Sequence, residues 1–372
     1  MTGWESVPFG AAAADVSAGN PKVLSSAYQP SGDFPVIDQG AAEIAGYVND
    51  PGLLYRGELP VVIFGDHTRN LKYVDSRFCV GADGVKILRP REGFDAKYLY
   101  HALRDLRIPG AGYSRHFKYL KESRIPKPGL DEQRRIAELL DRADSLRATR
   151  RAALAESGKL EQALFREMFG DPVLDRRDWH LASCEAVCGR VTVGIVFQPA
   201  SHYRPSGTVA LRSLNIRPGE IDLNDVVFFS EEENSTILSK TRVRAGDVVL
   251  VRTGRPGTAA VIPDELDGVN AVDILITTPD RTVVDPRYLC SYFNSPAAKR
   301  HISGHRRGQI QQHLNVGSLK QMPVPLPPLE LQKQYAERLG EISELRNRQR
   351  AGEAQLEALF DALQHRAFRN EL

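Results

Sequence analysis

The sequence holds few of the residues that staple, anchor or strongly charge a chain. Its four cysteines, Cys79, Cys184, Cys188 and Cys290, are scattered through 372 residues, which is not the dense spacing of a disulfide scaffold and points to reduced thiols. Cys184 and Cys188 have His180 and His202 nearby, but no second close pair completes a zinc set of the usual spacing. Buried thiols and no metal are therefore expected. No apolar run approaches the ~18 residues of a membrane span. The stretch from Met1 to Asn20 has no basic segment ahead of an apolar one, so neither a membrane segment nor a signal peptide is expected and the cytoplasm is the default compartment. An excess of one charge is lacking too: 49 Lys and Arg against 47 Asp and Glu leave +2. Only the placement of basic residues can then speak for nucleic acid.

Catalytic signatures are also missing. There is no Gly-x-x-x-x-Gly-Lys-Ser/Thr phosphate loop, no Gly-x-Gly-x-x-Gly opening a helix after a strand, and no Gly-x-Ser-x-Gly elbow. Asp285-Pro286-Arg287-Tyr288 has Arg where the Asp-Pro-Pro-Tyr loop of amino-methyltransferases has its second proline. It reads as a helix start instead, with Asp285 capping and Pro286 in the first turn.

What is present is a repeat. Ile125-Pro126-Lys127-Pro128-Gly129-Leu130-Asp131-Glu132-Gln133 lines up with Val324-Pro325-Leu326-Pro327-Pro328-Leu329-Glu330-Leu331-Gln332, and Phe169 meets Phe368 in the same gapless register. Upstream, Gly57 to Gly65 matches Gly246 to Gly254, and Lys97-Tyr98-Leu99 matches Arg287-Tyr288-Leu289, with small shifts of the kind loop insertions produce. Anchors in one order in both halves indicate duplication, and the chain exceeds the ~250 to 300 residues at which single cores stop growing.

The segments after the two proline clusters, 130–169 and 329–368, contain no proline and read as long helices. Ile136, Leu139, Ala143, Leu146 and Leu160 in the first, and Leu339, Leu356 and Leu359 in the second, recur mostly at helical steps and are the expected packing seam. Arg150 and Ser157 interrupt it. Helices about 60 Å long need a partner along their length, and the other helix is the obvious one. The expected fold is mixed α/β (α+β): two small globular domains in a pseudo-twofold arrangement, separated by two long antiparallel coiled-coil helices. The expected boundaries are 1–128 for the first domain, 129–170 for its helix, 171–325 for the second domain and 326–372 for its helix.

Basic residues cluster just before both proline junctions. Lys299 to Lys320 has no acidic residue, and Tyr113 to Lys127 has only Glu122. Arg and Lys supply phosphate contacts, while Arg, Gln and Asn present paired donors and acceptors to base edges. Candidate DNA-binding residues are Arg115, His116 and Lys118 in the first half and Arg306, Arg307, Gln309, Gln311 and His313 in the second, with Arg69, Arg252 and Arg255 at the ends of the matched strands. A solvated basic surface explains either patch alone, but not their matched positions.

These features resemble the specificity subunits of Type I restriction-modification enzymes over essentially the whole chain. In that family two target recognition domains are each followed by a long helix entered through Pro-x-Pro-x-x-x-Glu-Gln and a following Ile. Pro126, Pro128, Glu132, Gln133 and Ile136 fit that pattern, as do Pro325, Pro327 and Gln332. Gly246-Asp247-Val248-Val249 with Gly254, and Gly308-Gln309-Ile310-Gln311, are similar to further elements of the family. Leu331 and Tyr335 depart from it, as does Phe64-Gly65-Asp66-His67 where the second half has Arg252-Thr253-Gly254.

The resemblance implies a non-catalytic subunit that reads a bipartite target in double-stranded DNA, with the helix pair setting the spacing. It implies two partner methyltransferase subunits using S-adenosylmethionine, translocase or endonuclease subunits using ATP with Mg in a full enzyme, and no cofactor on this chain. A solitary DNA-modifying enzyme and a coiled-coil scaffold that binds only protein are the alternatives.

Overall fold

Proline decides where each half ends and its long helix begins. The computed structural model describes residues 4–82, 84–110, 115–170, 179–304 and 313–371. Pro126 and Pro128 keep the first junction extended, and Arg124–Pro126 pairs antiparallel with Ser6–Pro8. Pro323–Leu326 pairs in the same way with His180–Ser183. Both are two-stranded pairs, where a missing proline donor interrupts no central ladder.

Each half also builds a four-stranded antiparallel sheet of one topology. Ala13–Asp15, Val85–Pro90, Val61–Gly65 and Leu71–Val74 are neighbours in that order, and Cys188–Val193, Ile274–Pro279, Val248–Val251 and Ala259–Val261 repeat it. A second sheet, four-stranded in the first half and three-stranded in the second, includes a parallel pairing: Val36 and Ile37 beside Cys79 and Val80, and Ala210 and Leu211 beside Asn270 and Ala271.

The strand register read from the sequence is corrected here. Matching Gly57–Gly65 to Gly246–Gly254 equates Val62 with Val251. The faces equate it with Val248: Val62 and Phe64 enter the cluster that includes the long helix, as do Val248 and Leu250, while Ile63 and Val249 enter separate clusters. An odd shift moves every side chain to the other face. Strands buried on both faces, as Val61–Gly65 and Val248–Val251 are, are apolar throughout and give no alternation to detect it.

The long helices span Leu130–Phe169 and Leu329–Ala367. One buried glutamine secures the entry of each. Gln133 Oε1 accepts the Asp95 N–H at 2.9 Å, and its Nε2 donates to the carbonyls of Gly93 and Pro128, both at 2.9 Å. Gln332 Oε1 accepts the Asp285 N–H at 2.9 Å, and its Nε2 donates to Val283 at 3.3 Å and Pro327 at 2.8 Å. The two aspartates cap the helices Ala96–Asp105 and Pro286–Asn294 through the N–H groups of Tyr98 at 2.9 Å and of Arg287 at 2.8 Å. Tyr98 and Tyr288 return their hydroxyls to the carbonyls of Pro126 and Pro325, each at 2.9 Å. Burial pushes both phenols well above their ordinary value, so each remains a donor.

Two compact units result, 1–152 with 350–372 and 153–349. They divide both helices in mid-length, not at the proline junctions, so each unit joins the start of its own helix to the end of the other. In the first, Ile136, Ala137 and Leu140 share a core with Tyr98, Leu103, Phe360 and Phe368. In the second, Tyr335 shares one with Tyr288, Phe165 and Phe169. The residues matched by sequence thus meet reciprocally: Phe368 lies 5.6 Å from Tyr98, and Phe169 lies 4.7 Å from Tyr288 edge to face. Within each unit the helix segments run antiparallel. Arg151 pairs with both Glu353 at 3.5 Å and Glu357 at 2.7 Å, Arg147 pairs with Glu357, and Arg346 pairs with Glu161 at 2.5 Å.

The expected leucine seam is partly wrong. Ile136 is buried and Leu139, Ala143, Leu339 and Leu356 are half-buried. Leu146, Leu160 and Leu359 are 61%, 54% and 64% exposed and enter none of the buried clusters. Where they were expected to meet, arginine stems and ion pairs fill the contact, with the Arg147 guanidinium 4.0 Å over the Phe360 ring.

Removing the carboxamide of Gln133 leaves one N–H and two carbonyls without their partner in a buried site. Gln133→Met should lower the stability of the first unit by about 2 to 4 kcal/mol. Trp4 and Trp179 fall one in each unit, so urea unfolding followed by Trp4 fluorescence in a Trp179→Phe background reads this unit alone. An unchanged midpoint would remove the clamp from the fold's determinants.

Candidate nucleic-acid interface

In both units one end of the four-stranded sheet faces the clamp and the other carries polar residues. In the second unit Val193 pairs with Leu275, and Val251 pairs with Ile274. The loop after Val193, Asp273 before Ile274 and the turn after Val251 therefore share one sheet end. Pro279 and the clamp partners Val283 and Asp285 lie beyond the other.

At that end the Arg252 guanidinium donates to Asp273 Oδ1 at 2.5 Å and, through Nε, to His313 Nε2 at 2.9 Å. Thr253 Oγ1 lies 3.0 Å from His313 Nδ1, and the Leu314 N–H closes onto the Arg252 carbonyl at 2.9 Å. Arg252 and His313 are thus brought together, anchored by an aspartate that nothing in the sequence singled out. Asp273 sits at φ 49°, a backbone conformation invisible to pattern reading. Arg255 is exposed on the following turn, between Gly254 at φ 85° and Gly257 at φ 76°. The positive φ of Gly257 is one that L side chains rarely adopt, and a Cβ there would also meet the tip of Ile302 at 2.2 Å on the helix Pro296–Gly304. Arg306, Arg307, Gln309 and Gln311 lie outside the described residues.

The first unit uses different groups at the same end. Asp66 stands where Arg252 does: its carboxylate accepts the Phe117 N–H at 2.8 Å and its carbonyl accepts the His116 N–H at 2.8 Å. His116 is a correction. It is 2% exposed, with Nδ1 3.0 Å from the same carbonyl, so the ring is buried at the start of the short helix Phe117–Lys121 and not on the surface where a base contact would need it. Arg115 and Lys118 are exposed beside it, the Lys118 ammonium 4.8 Å over the Tyr119 ring. Arg69, at φ 63°, is exposed and donates to the Ile108 carbonyl at 3.1 Å. The sheet ends thus gather Arg69, Arg115 and Lys118 in one unit and Arg252, Arg255 and His313 in the other.

Lys299 acquires a role that its place in a basic run did not reveal. Its ammonium donates to the Pro256 carbonyl at 3.3 Å beneath the turn that carries Arg255. Burial pushes it down to about 8, with Arg255 adding in the same direction and Cys290 opposing. Below that pH it adds a cation to the sheet end, and above it the cation is lost. Duplex affinity should fall as pH rises from 7 to 9, and the salt slope should become shallower by about one charge. Binding titrations at three salt concentrations check this. Lys299→Met should be flat over that range; an equal pH response in the variant would exclude Lys299 as the source.

The four cysteines are free and buried, with the Cys184 and Cys188 sulfurs 4.0 Å apart. Among the described residues no cluster of metal-ligating groups occurs, and no helix is long and apolar enough to cross a membrane.

No protein-family model matches the chain. It is 24% identical over 324 residues to the Type I restriction enzyme EcoBI specificity subunit of Escherichia coli, covering 77% of this chain and 68% of that protein. It is 25% identical over 298 residues to the MjaVIII specificity subunit of Methanocaldococcus jannaschii, covering 73% and 69%. The fold is similar to the crystal structure of a Type I restriction-modification S subunit from M. genitalium, with a TM-score of 0.63 at 12% identity over 99% of this chain and 96% of that one. A chain from a structural study of Type I complex assembly gives a TM-score of 0.58 at 18% identity, over 100% and 98%. By sequence across about three quarters of its length and by fold across nearly all of it, the chain is similar to the specificity subunits of Type I restriction enzymes.

Proposed function

We propose that this chain is the DNA-reading subunit of a Type I restriction-modification enzyme, each sheet end reading one half of a bipartite target. The observation that carries the reading is the contrast between the two ends of each sheet. The glutamine, aspartate and tyrosine clamp recurs bond for bond in both units, while the opposite end holds Asp66 and Arg69 in one and Arg252 and Asp273 in the other. A shared frame with different tips suits a reader of two different half-sites.

Guanidinium groups and the His313 imidazole at the sheet ends can meet base edges and phosphates; Arg306, Arg307, Gln309 and Gln311, outside the described residues, remain candidates on their sequence alone. The exposed leucines Leu146, Leu160, Leu345 and Leu359 on the long helices suit a protein partner. In this reading they hold methyltransferase subunits, expected as two copies, which take S-adenosylmethionine to methylate adenine. A translocase or endonuclease using ATP and Mg completes a restricting enzyme, and the complex works in the cytoplasm. The chain supplies the address and no chemistry.

Co-expression with its methyltransferase, followed by sequencing of adenine methylation, should return one split motif. Methylation by the chain alone would favour a solitary enzyme, and no sequence-dependent duplex binding in either case would favour a scaffold. Arg306→Ala with Arg307→Ala should cost ~1 to 3 kcal/mol per lost base contact on one half-site only. Removing one heptad from both helices should change the spacer of the motif and leave its half-sites intact; an unaltered spacer would exclude the helices as its ruler.

A further inference from the structure

Phe197 is 76% exposed, the highest value of any large apolar side chain among the described residues, and Val196 beside it is 53% exposed. Single exposed apolar residues are ordinary on a protein surface, so placement must decide whether this pair means anything. Ile195, immediately before them, is buried. Its N–H donates to the Ala271 carbonyl at 2.8 Å, and its carbonyl accepts the Asp273 N–H at 2.9 Å. Asp273 is the residue whose carboxylate grips Arg252, which in turn holds His313. The backbone thus fixes the base of the Val196-Phe197 tip to the same strand end as the polar cluster. Gln198, at φ 43°, turns the chain back directly after the ring.

The corresponding loop of the first unit carries no aromatic tip. After its corresponding strand, Ala13–Asp15, the chain reads Val16-Ser17-Ala18-Gly19-Asn20, and Asn20 folds its amide back onto the Val16 carbonyl at 2.9 Å. The aromatic tip is therefore a feature of one sheet end and not of the shared frame.

We infer that Phe197, flanked by Val196, reads the C5-methyl group of a thymine in the half-site bound by the second unit. The inference rests on the DNA-reading function proposed above and names one determinant of it. Arg, Thr and His at this sheet end carry donors and acceptors suited to major-groove edges, and in that groove thymine alone presents an apolar group. An apolar tip rising beside those donors offers the matching contact. A wedge forced between base steps of the minor groove, the other use of an exposed Phe beside Arg, would not depend on the methyl group, which faces the major groove.

The test uses the complex of this chain with its methyltransferase and a duplex carrying the motif found by methylation sequencing. Each thymidine of the second unit's half-site is replaced in turn by deoxyuridine, which removes only the methyl group. The intact complex should lose about fourfold in affinity at one position, the size expected for one buried methyl. The complex with Phe197→Ala should bind the thymidine duplex about as weakly and be indifferent to the replacement at that position. Because Phe197 is exposed, the melting temperature of the variant should match the parent. The inference fails if no thymidine replacement matters, if Phe197→Ala binds like the parent, or if the variant loses equally on both duplexes while remaining sensitive to the methyl group. A parent complex that does not distinguish the motif from a scrambled duplex would sink the DNA-reading function itself, whereas sequence-specific binding without the methyl effect sinks only the role of Phe197.

Discussion

A single carboxamide at the entry of each long helix ties together the three things the chain must join. Gln133 and Gln332 each hold the cap of a domain helix, the carbonyl before it and the proline bend that starts the long helix. The glutamine is fully buried in both units, and a buried amide that lost those partners would carry the full cost of their desolvation. The direction in which each domain leaves its helix is therefore set by hydrogen bonds that tolerate little adjustment. A sheet whose near end is fastened in this way can vary its far end freely.

That division explains how one fold carries two different tips. Near the clamp, Tyr98 and Tyr288 make the same bond to a proline carbonyl and meet Phe368 and Phe169 in turn. At the far end the equivalent position is Asp66 in one unit, anchoring a short helix, and Arg252 in the other, bound to Asp273 and His313. An acid stands in one unit where a base stands in the other, above strands that are fully buried in both, because the strand is held by the core and by its ladder, not by what projects from its end. The core likewise needs the end of the other half's helix: Phe360 and Phe368 complete the first unit, Phe165 and Phe169 the second.

Much of this was legible because proline and glutamine mark the junctions in unbroken register, and because helices without proline and with apolar residues at helical steps can be read directly. The helical phase was less informative about contacts. Leu146, Leu160 and Leu359 fit the period yet lie exposed, since periodicity says which residues share a face and not whether anything covers that face. His116 sat in a basic run and is buried, because a run of sequence says nothing about which side chain a short helix turns inward.

The sequence by itself determined the duplication, the two long helices and the proline-led junctions, since each depends on local backbone restriction or on a repeat that survives without contacts. The tertiary structure alone decided the strand register, the Asp273 anchor of Arg252, the lowered lysine at 299 and the reciprocal capping of each unit by the other helix. All of these arise between residues far apart in the chain, where burial and pairing act and where no local pattern carries the information.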